Sequence, residues 1–231
     1  MKTVTRVPTP AKIIRRLKRA FQRLGAGQAT ATALVQRVHL FDKAYELLAM
    51  LEMLKNLRTH CRARFVLVQG HRVMFRTKGG PINSHYAHIE MSIGGFPAGE
   101  IWTDIECQSL SAVSSGISVR WPTYAAAHEL DVVLVSVGVQ GYPSPQHVLI
   151  AVEAKHRMYN KALLKELLGV RRETSFKSNM VSNDYAWWTS NGEIPCNPPV
   201  GLVAYCSSSN IQSYGTPSQD FWGIDMKYLP A

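Results

Sequence analysis

The stretch from residue 128 to residue 157 limits the fold more than any other. HELDVVLV and VLIAVEAKHR are two strand-length apolar runs, separated by VGVQGYPSPQ, whose Gly, Pro and Ser residues signal a turn. Side chains alternate along a strand, so Glu129 and Asp131 share a face, and so do Glu153 and Lys155. If the two strands are neighbours, three carboxylates and one ammonium converge at one end of an otherwise apolar pair. Such a cluster is costly in a low-dielectric core unless something compensates it.

A divalent cation is the natural compensator. Mg²⁺, or Mn²⁺ in its place, takes hard oxygen ligands and is commonly held by one or two protein carboxylates together with phosphate oxygens. Asp131 and Glu153 have that chemistry, and the carbonyl of Ala154 lies between Glu153 and Lys155. An ammonium at Lys155 would orient a metal-bound water, help lower its pKa and stabilise charge growing on phosphorus. The competing reading is an edge strand whose Glu and Lys are merely solvated.

The flanking segments supply helices. VHLFDKAYELLAMLEMLKNL, residues 38–57, has Leu40, Leu47, Leu48, Leu51 and Leu54 on one broad face, with Asp42, Lys43 and Glu46 opposite. YNKALLKELLGVRRETSFK turns Leu163, Leu164, Leu167 and Leu168 towards a sheet and leaves Lys161, Lys165, Arg171 and Arg172 for another face. Between residues 64 and 107 the pattern is that of strands, with GGFPAG as a turn; VGLVAYCSSS is a further strand. GGFPAG is followed by neither GK[ST] nor a GxGxxG pattern, so it is no phosphate cradle. His85 and His88 lie three apart in a strand-like stretch, where that spacing does not make a metal pair.

With ELDVVLV followed by VLIAVEAKHR, the chain resembles the PD-(D/E)XK phosphodiesterase superfamily, and is similar to nuclease domains of antiviral defence effectors. The resemblance spans about residues 40–175 and implies a restriction-endonuclease-like core, a mixed central sheet flanked by helices. Asp131 would match the first acidic position, and Glu153 and Lys155 the (D/E)XK pair. Glu46 would be the further acid that members often place on the preceding helix, with Glu52 the weaker choice. No proline precedes Asp131, the stretch before HELD is longer than a minimal core needs, and Asp104 and Glu106 in EIWTDIEC compete as metal ligands. The resemblance implies Mg²⁺-dependent hydrolysis of nucleic acid, with DNA the expected substrate, a homodimer for double-strand cleavage, and a setting in restriction or antiphage defence with partner proteins.

Charge is unevenly placed. Nine of the 26 Lys and Arg fall in residues 1–41, before the first acid, Asp42, and the remainder holds 17 basic against 16 acidic residues. AKIIRRLKRAFQRLG spaces Ile13, Ile14, Leu17, Phe21 and Leu24 as a helix with cations on the other side, closed by Gly25 and Gly27. Residues 1–37 therefore read as a basic amphipathic arm before a nuclease domain at 38–231. Its face can contact phosphates through Arg15, Arg16 and Arg19, lie on an anionic membrane, or stay solvated over a packed stripe. Lys161, Lys165 and Arg172 are the corresponding phosphate candidates on the later helix. No transmembrane segment or signal-peptide core is expected, and four scattered cysteines fit a reduced, cytoplasmic setting. The runner-up to a nuclease is a catalytically inactive nucleic-acid-binding or scaffold protein of the same fold.

Overall fold

A computed structural model describes residues 10–36, 41–117, 126–174 and 200–231. The element order is α1 (Pro10–Arg23), α2 (Gln28–Gln36), α3 (Phe41–Cys61), β1 (Arg64–Val68), β2 (His88–Ile93), β3 (Phe96–Gln108), α4 (Leu110–Ser114), β4 (Ala127–Val135), β5 (Val148–Lys155), α5 (Lys161–Glu173), β6 (Gly201–Cys206), α6 (Ser218–Trp222) and β7 (Ile224–Tyr228). The strands form one mixed sheet in the order β1-β2-β3-β4-β5-β6-β7. Pairings are antiparallel from β1 through β5 and parallel from β5 through β7. Leu40 of the leucine face lies outside the described residues, as do Trp187 and Trp188, aromatic side chains expected to pack or to form an interface.

Local chemistry sets these boundaries. Only Gly94 and Gly95 of GGFPAG form the β2–β3 turn; both have positive φ, 61° and 91°, which glycine adopts without a Cβ clash. Phe96 already pairs with Ile93, and Pro97 is accommodated at the register shift between Met91 and Ser92, where the ladder is irregular. Asn160 caps α5 by accepting the Leu163 amide at 3.1 Å.

Helices cover both faces of the sheet. On one face α1, α2 and α3 share a core with Ile101, Val132, Leu134, Val152 and Ala154. On the other, Leu163, Leu167 and Val170 of α5 pack with Leu130, Val133, Ala151, Leu202 and Ala204. The strand alternation of β5 thus sends Val152 and Ala154 towards α3, and Ala151, with Glu153 and Lys155, towards α5.

Residues 44–50 of α3 are all buried, Glu46 among them at 6% exposure, so Glu46 is not on a solvated outer face. The reason is tertiary: the stripe of Ile13, Leu17 and Phe21 on α1 and Leu34 and Val35 on α2 close over α3 from the side away from the sheet. Each such fully buried apolar side chain contributes roughly 1.5–3 kcal/mol relative to exposure. The polar side of α3 is left against the sheet end.

Candidate active site

The site forms where two strands part. β4 and β5 are paired from Val135 with Val148 to Val132 with Val152, and no further. One residue beyond, Asp131 replaces the backbone ladder with its side chain: Oδ2 accepts the Ala154 amide at 2.7 Å. A residue's N–H and C=O leave a strand on the same side, so the Ala154 carbonyl also faces the β4 edge. The Lys155 carbonyl turns the other way and accepts the Ser207 amide at 3.1 Å.

Lys155 occupies the centre of the α5-side group. Its Nζ lies 2.9 Å from Glu153 Oε2, 3.2 Å from Glu166 Oε1 and 3.8 Å from Asp131 Oδ2. Burial alone would lower the Lys155 pKa, but the charges of Glu153 and Asp131 outweigh it and raise it. Glu153 is pushed up to about 8, first by burial and then by Asp131, against the pull of Lys155. Asp131 is also raised by burial, with Lys155 and the Ala154 amide opposing. In both carboxyls burial is the main cause of the rise, because it disfavours the charged form.

A second lysine stands on the α3 side. Lys43 bridges Glu46, at 2.9 Å, and Asp104, a 1% exposed residue in the middle of β3. Asp104 has φ 52°, a left-handed conformation that Asp and Asn tolerate better than other side chains. It interrupts the β3–β4 ladder between the pairs Thr103–Val132 and Ile105–Leu130. Burial lifts Asp104 to about 7, with Lys43 opposing and Glu129 adding to the rise. Glu46 reaches about 8 through burial and the nearby charges of Asp131 and Asp104. Asp131 therefore sits between two layers of charge, felt by Lys155 on one side and Lys43 on the other.

Asp131, Glu153, Ala154 and Lys155 are thus brought together as their spacing suggested. Glu46 is adjacent electrostatically but bonded to Lys43, while Glu52 points elsewhere, to Lys55 at 3.0 Å. Two contributors were not assigned a role from sequence, Lys43 and Glu166; Glu129, expected beside Asp131, is exposed and acts on Asp104. Lys43 had a local signal in its i,i+3 spacing to Glu46; Glu166 shares a face of α5 with Glu173, seven residues on, and had no such signal.

The candidate phosphate contacts separate. Lys161, Lys165 and Arg172 are exposed on α5, the layer that carries Glu166. Arg171 is not among them: it is 2% exposed and donates to the carbonyls of Val200 at 2.8 Å and Gly223 at 2.5 Å. Arg15, Arg16 and Arg19 are exposed on α1, across the sheet. His88 stacks on Trp102 with ring centroids 4.0 Å apart, while His85 is exposed beside His71.

Hard oxygen donors fit Mg²⁺ or Mn²⁺. Glu153 Oε1 and Asp104 Oδ2 are buried and accept no hydrogen bond among the described residues. Among those residues, no three His, Cys, Asp or Glu side chains are already gathered into a metal-holding group; the carboxylates are spread around two ammonium groups. No helix among them is long and apolar enough to cross a membrane. Compared with known proteins, the chain matches no family model, no curated protein and no solved structure.

Proposed function

We propose that this chain is a metal-dependent phosphodiester hydrolase, an endonuclease acting on DNA. The observation that carries the reading is the break in the β4–β5 ladder, where Asp131, Glu153, the Ala154 carbonyl and Lys155 face one another. Asp131, Glu153 and that carbonyl are the residues to hold Mg²⁺ or Mn²⁺. A divalent ion there would supply Lewis acidity and a bound water of lowered pKa.

The protein's own groups do the rest. The Ala154 amide fixes one Asp131 oxygen and so sets the orientation of the carboxylate. Lys155, 2.9 Å from Glu153 and 3.8 Å from Asp131, would orient water and face negative charge on phosphorus. Lys161, Lys165 and Arg172 on α5 are the cations that would meet the phosphate backbone beside Lys155. A homodimer would supply the second cut of a duplex. Restriction or antiphage defence is the setting this reading favours, with the cytoplasm as its place.

A second reading has its own observation. Lys155 already neutralises Glu153, Asp131 and Glu166 without any ion, as in a nuclease-like scaffold that binds nucleic acid and does not cut it. The two separate in one assay: supercoiled plasmid with wild type, Asp131→Ala and Lys155→Ala, in Mg²⁺, Mn²⁺ or EDTA. Nicking that needs metal and both side chains supports the hydrolase. Plasmid binding without nicking, unchanged in both variants, supports the scaffold.

A further inference from the structure

A groove of about 600 Å³ runs between α1 and α3, well away from the carboxylates. Lys12, Arg15, Arg16, Arg19 and Arg23 of α1 line it and face Lys55 and Arg58 of α3. These α1 positions recur at helical intervals on one face, so they repel one another along the whole helix. A single carboxylate among the described residues answers them: Glu52, 3.0 Å from Lys55 and 4.0 Å from Arg16. Between the cations the floor is apolar, made by Leu24, Leu51 and Leu54.

We infer that this groove is a binding site for a free nucleoside polyphosphate, its phosphates held by the arginines and its nucleoside resting on the leucine floor. Concentrated, uncompensated cations call for a ligand with several negative charges, and guanidinium groups suit phosphate oxygens. The volume falls within the range of roughly 300–1,000 Å³ of small-ligand pockets, too small for a duplex. The leucines would be idle under a bare phosphate chain, whereas a nucleoside gives them an apolar face to meet. A nucleic-acid strand bound for the carboxylates has no path along α3, because residues 47–50, between the groove and Glu46, are buried. The site stands independently of the hydrolase reading: it lies on the opposite layer from Lys155, and binding there requires no cleavage.

Isothermal titration calorimetry of the full chain in EDTA tests it, with ATP, inorganic tripolyphosphate and a six-residue oligothymidylate as separate titrants. ATP is expected to bind one per chain and more tightly than tripolyphosphate. Replacing both Arg19 and Arg58 by Ala is expected to weaken ATP at least about tenfold, the loss of charge-assisted bonds. Lys78→Ala, an exposed cation elsewhere, is expected to leave ATP binding unchanged, and circular dichroism checks that each variant is folded. A folded Leu51→Gln variant is expected to weaken ATP and spare tripolyphosphate. No heat with ATP overturns the assignment, as does equal binding of tripolyphosphate, binding of the oligonucleotide alone, or sedimentation with phosphatidylglycerol vesicles in place of ATP binding.

Discussion

Asp131 Oδ2 accepts the Ala154 amide at 2.7 Å one residue past the last backbone pair of β4 and β5, Val132 with Val152. A side chain thus closes a ladder that the backbone has left. Asp131→Asn keeps an acceptor for that amide and removes a charge that raises the Glu153 pKa, so its stability in EDTA is expected to equal or exceed wild type. Asp131→Ala leaves a buried amide unsatisfied and is expected to lose about 1–3 kcal/mol. Both are expected to lose metal-dependent plasmid cleavage. Urea unfolding beside the cleavage assay separates the hydrogen bond from the charge.

Lys155 has a structural task as well as the proposed chemical one. It holds Asp131 of β4, Glu153 of β5 and Glu166 of α5, so Lys155→Met strands a carboxylate, Glu153, that is 5% exposed. Breaking one partner of a buried pair costs about 3–5 kcal/mol, and partial exposure of Lys155 puts this case at the low end. Adding Glu153→Gln to Lys155→Met is expected to restore most of the stability and none of the cleavage. If the double variant is no more stable than the single one, Glu153 is not the group that Lys155 neutralises.

Much of this site was legible because its parts obey local periods. The alternation in ELDVVLV and VLIAVEAK placed Asp131 and Glu153 on a shared side of neighbouring strands, and the leucine spacing of α5 placed Lys161, Lys165 and Arg172 outside. What escaped depends on contacts between distant elements. α2, QATATALVQ, has little amphipathic contrast and is a helix because Leu34 and Val35 fill space over α3. β7, IDMKY, carries Asp225 and Lys227 on one face, paired with each other at the sheet edge, and so lacks an apolar run. Asp104 looked like one acid in an alternating strand; its positive φ and its tie to Lys43, 61 residues earlier, have no sequence period. Arg171 looked like a solvated cation beside Arg172, yet it is spent on two backbone carbonyls.

Three raised carboxylates fix the sign of a pH dependence. Glu46 and Glu153 rise from 4.5 to about 8 and Asp104 from 3.8 to about 7 on folding. Between the unfolded and folded values the native state binds more protons than the unfolded chain, so stability falls as pH rises through that window. Melting temperature in EDTA is expected to be highest near the bottom of the window, to decline up to about pH 8, and then to level off. Mg²⁺ binding only the native carboxylates would raise the melting temperature most at the alkaline end. A melting temperature that climbs steadily from pH 5 to 8 in EDTA contradicts the raised values.

The pair Lys43 and Asp104 tests whether the α3-side charges are structural or metal-binding. Asn shares the tolerance of Asp for the left-handed backbone and keeps an oxygen for Lys43, so Asp104→Asn is expected to fold with near wild-type stability. Asp104→Val places a β-branched residue at φ 52° and removes the partner of Lys43; the backbone strain alone is worth about 1–3 kcal/mol. Lys43→Met leaves Asp104 buried beside Glu46 and Glu129 without a counter-charge, and is expected to be the least stable of the three. In the plasmid assay Asp104→Asn is expected to retain metal-dependent nicking, because the proposed ligands are Asp131, Glu153 and the Ala154 carbonyl. Loss of nicking by Asp104→Asn, with its melting temperature intact, would instead place Asp104 in the metal set and shift the site's centre from the β4–β5 gap towards α3.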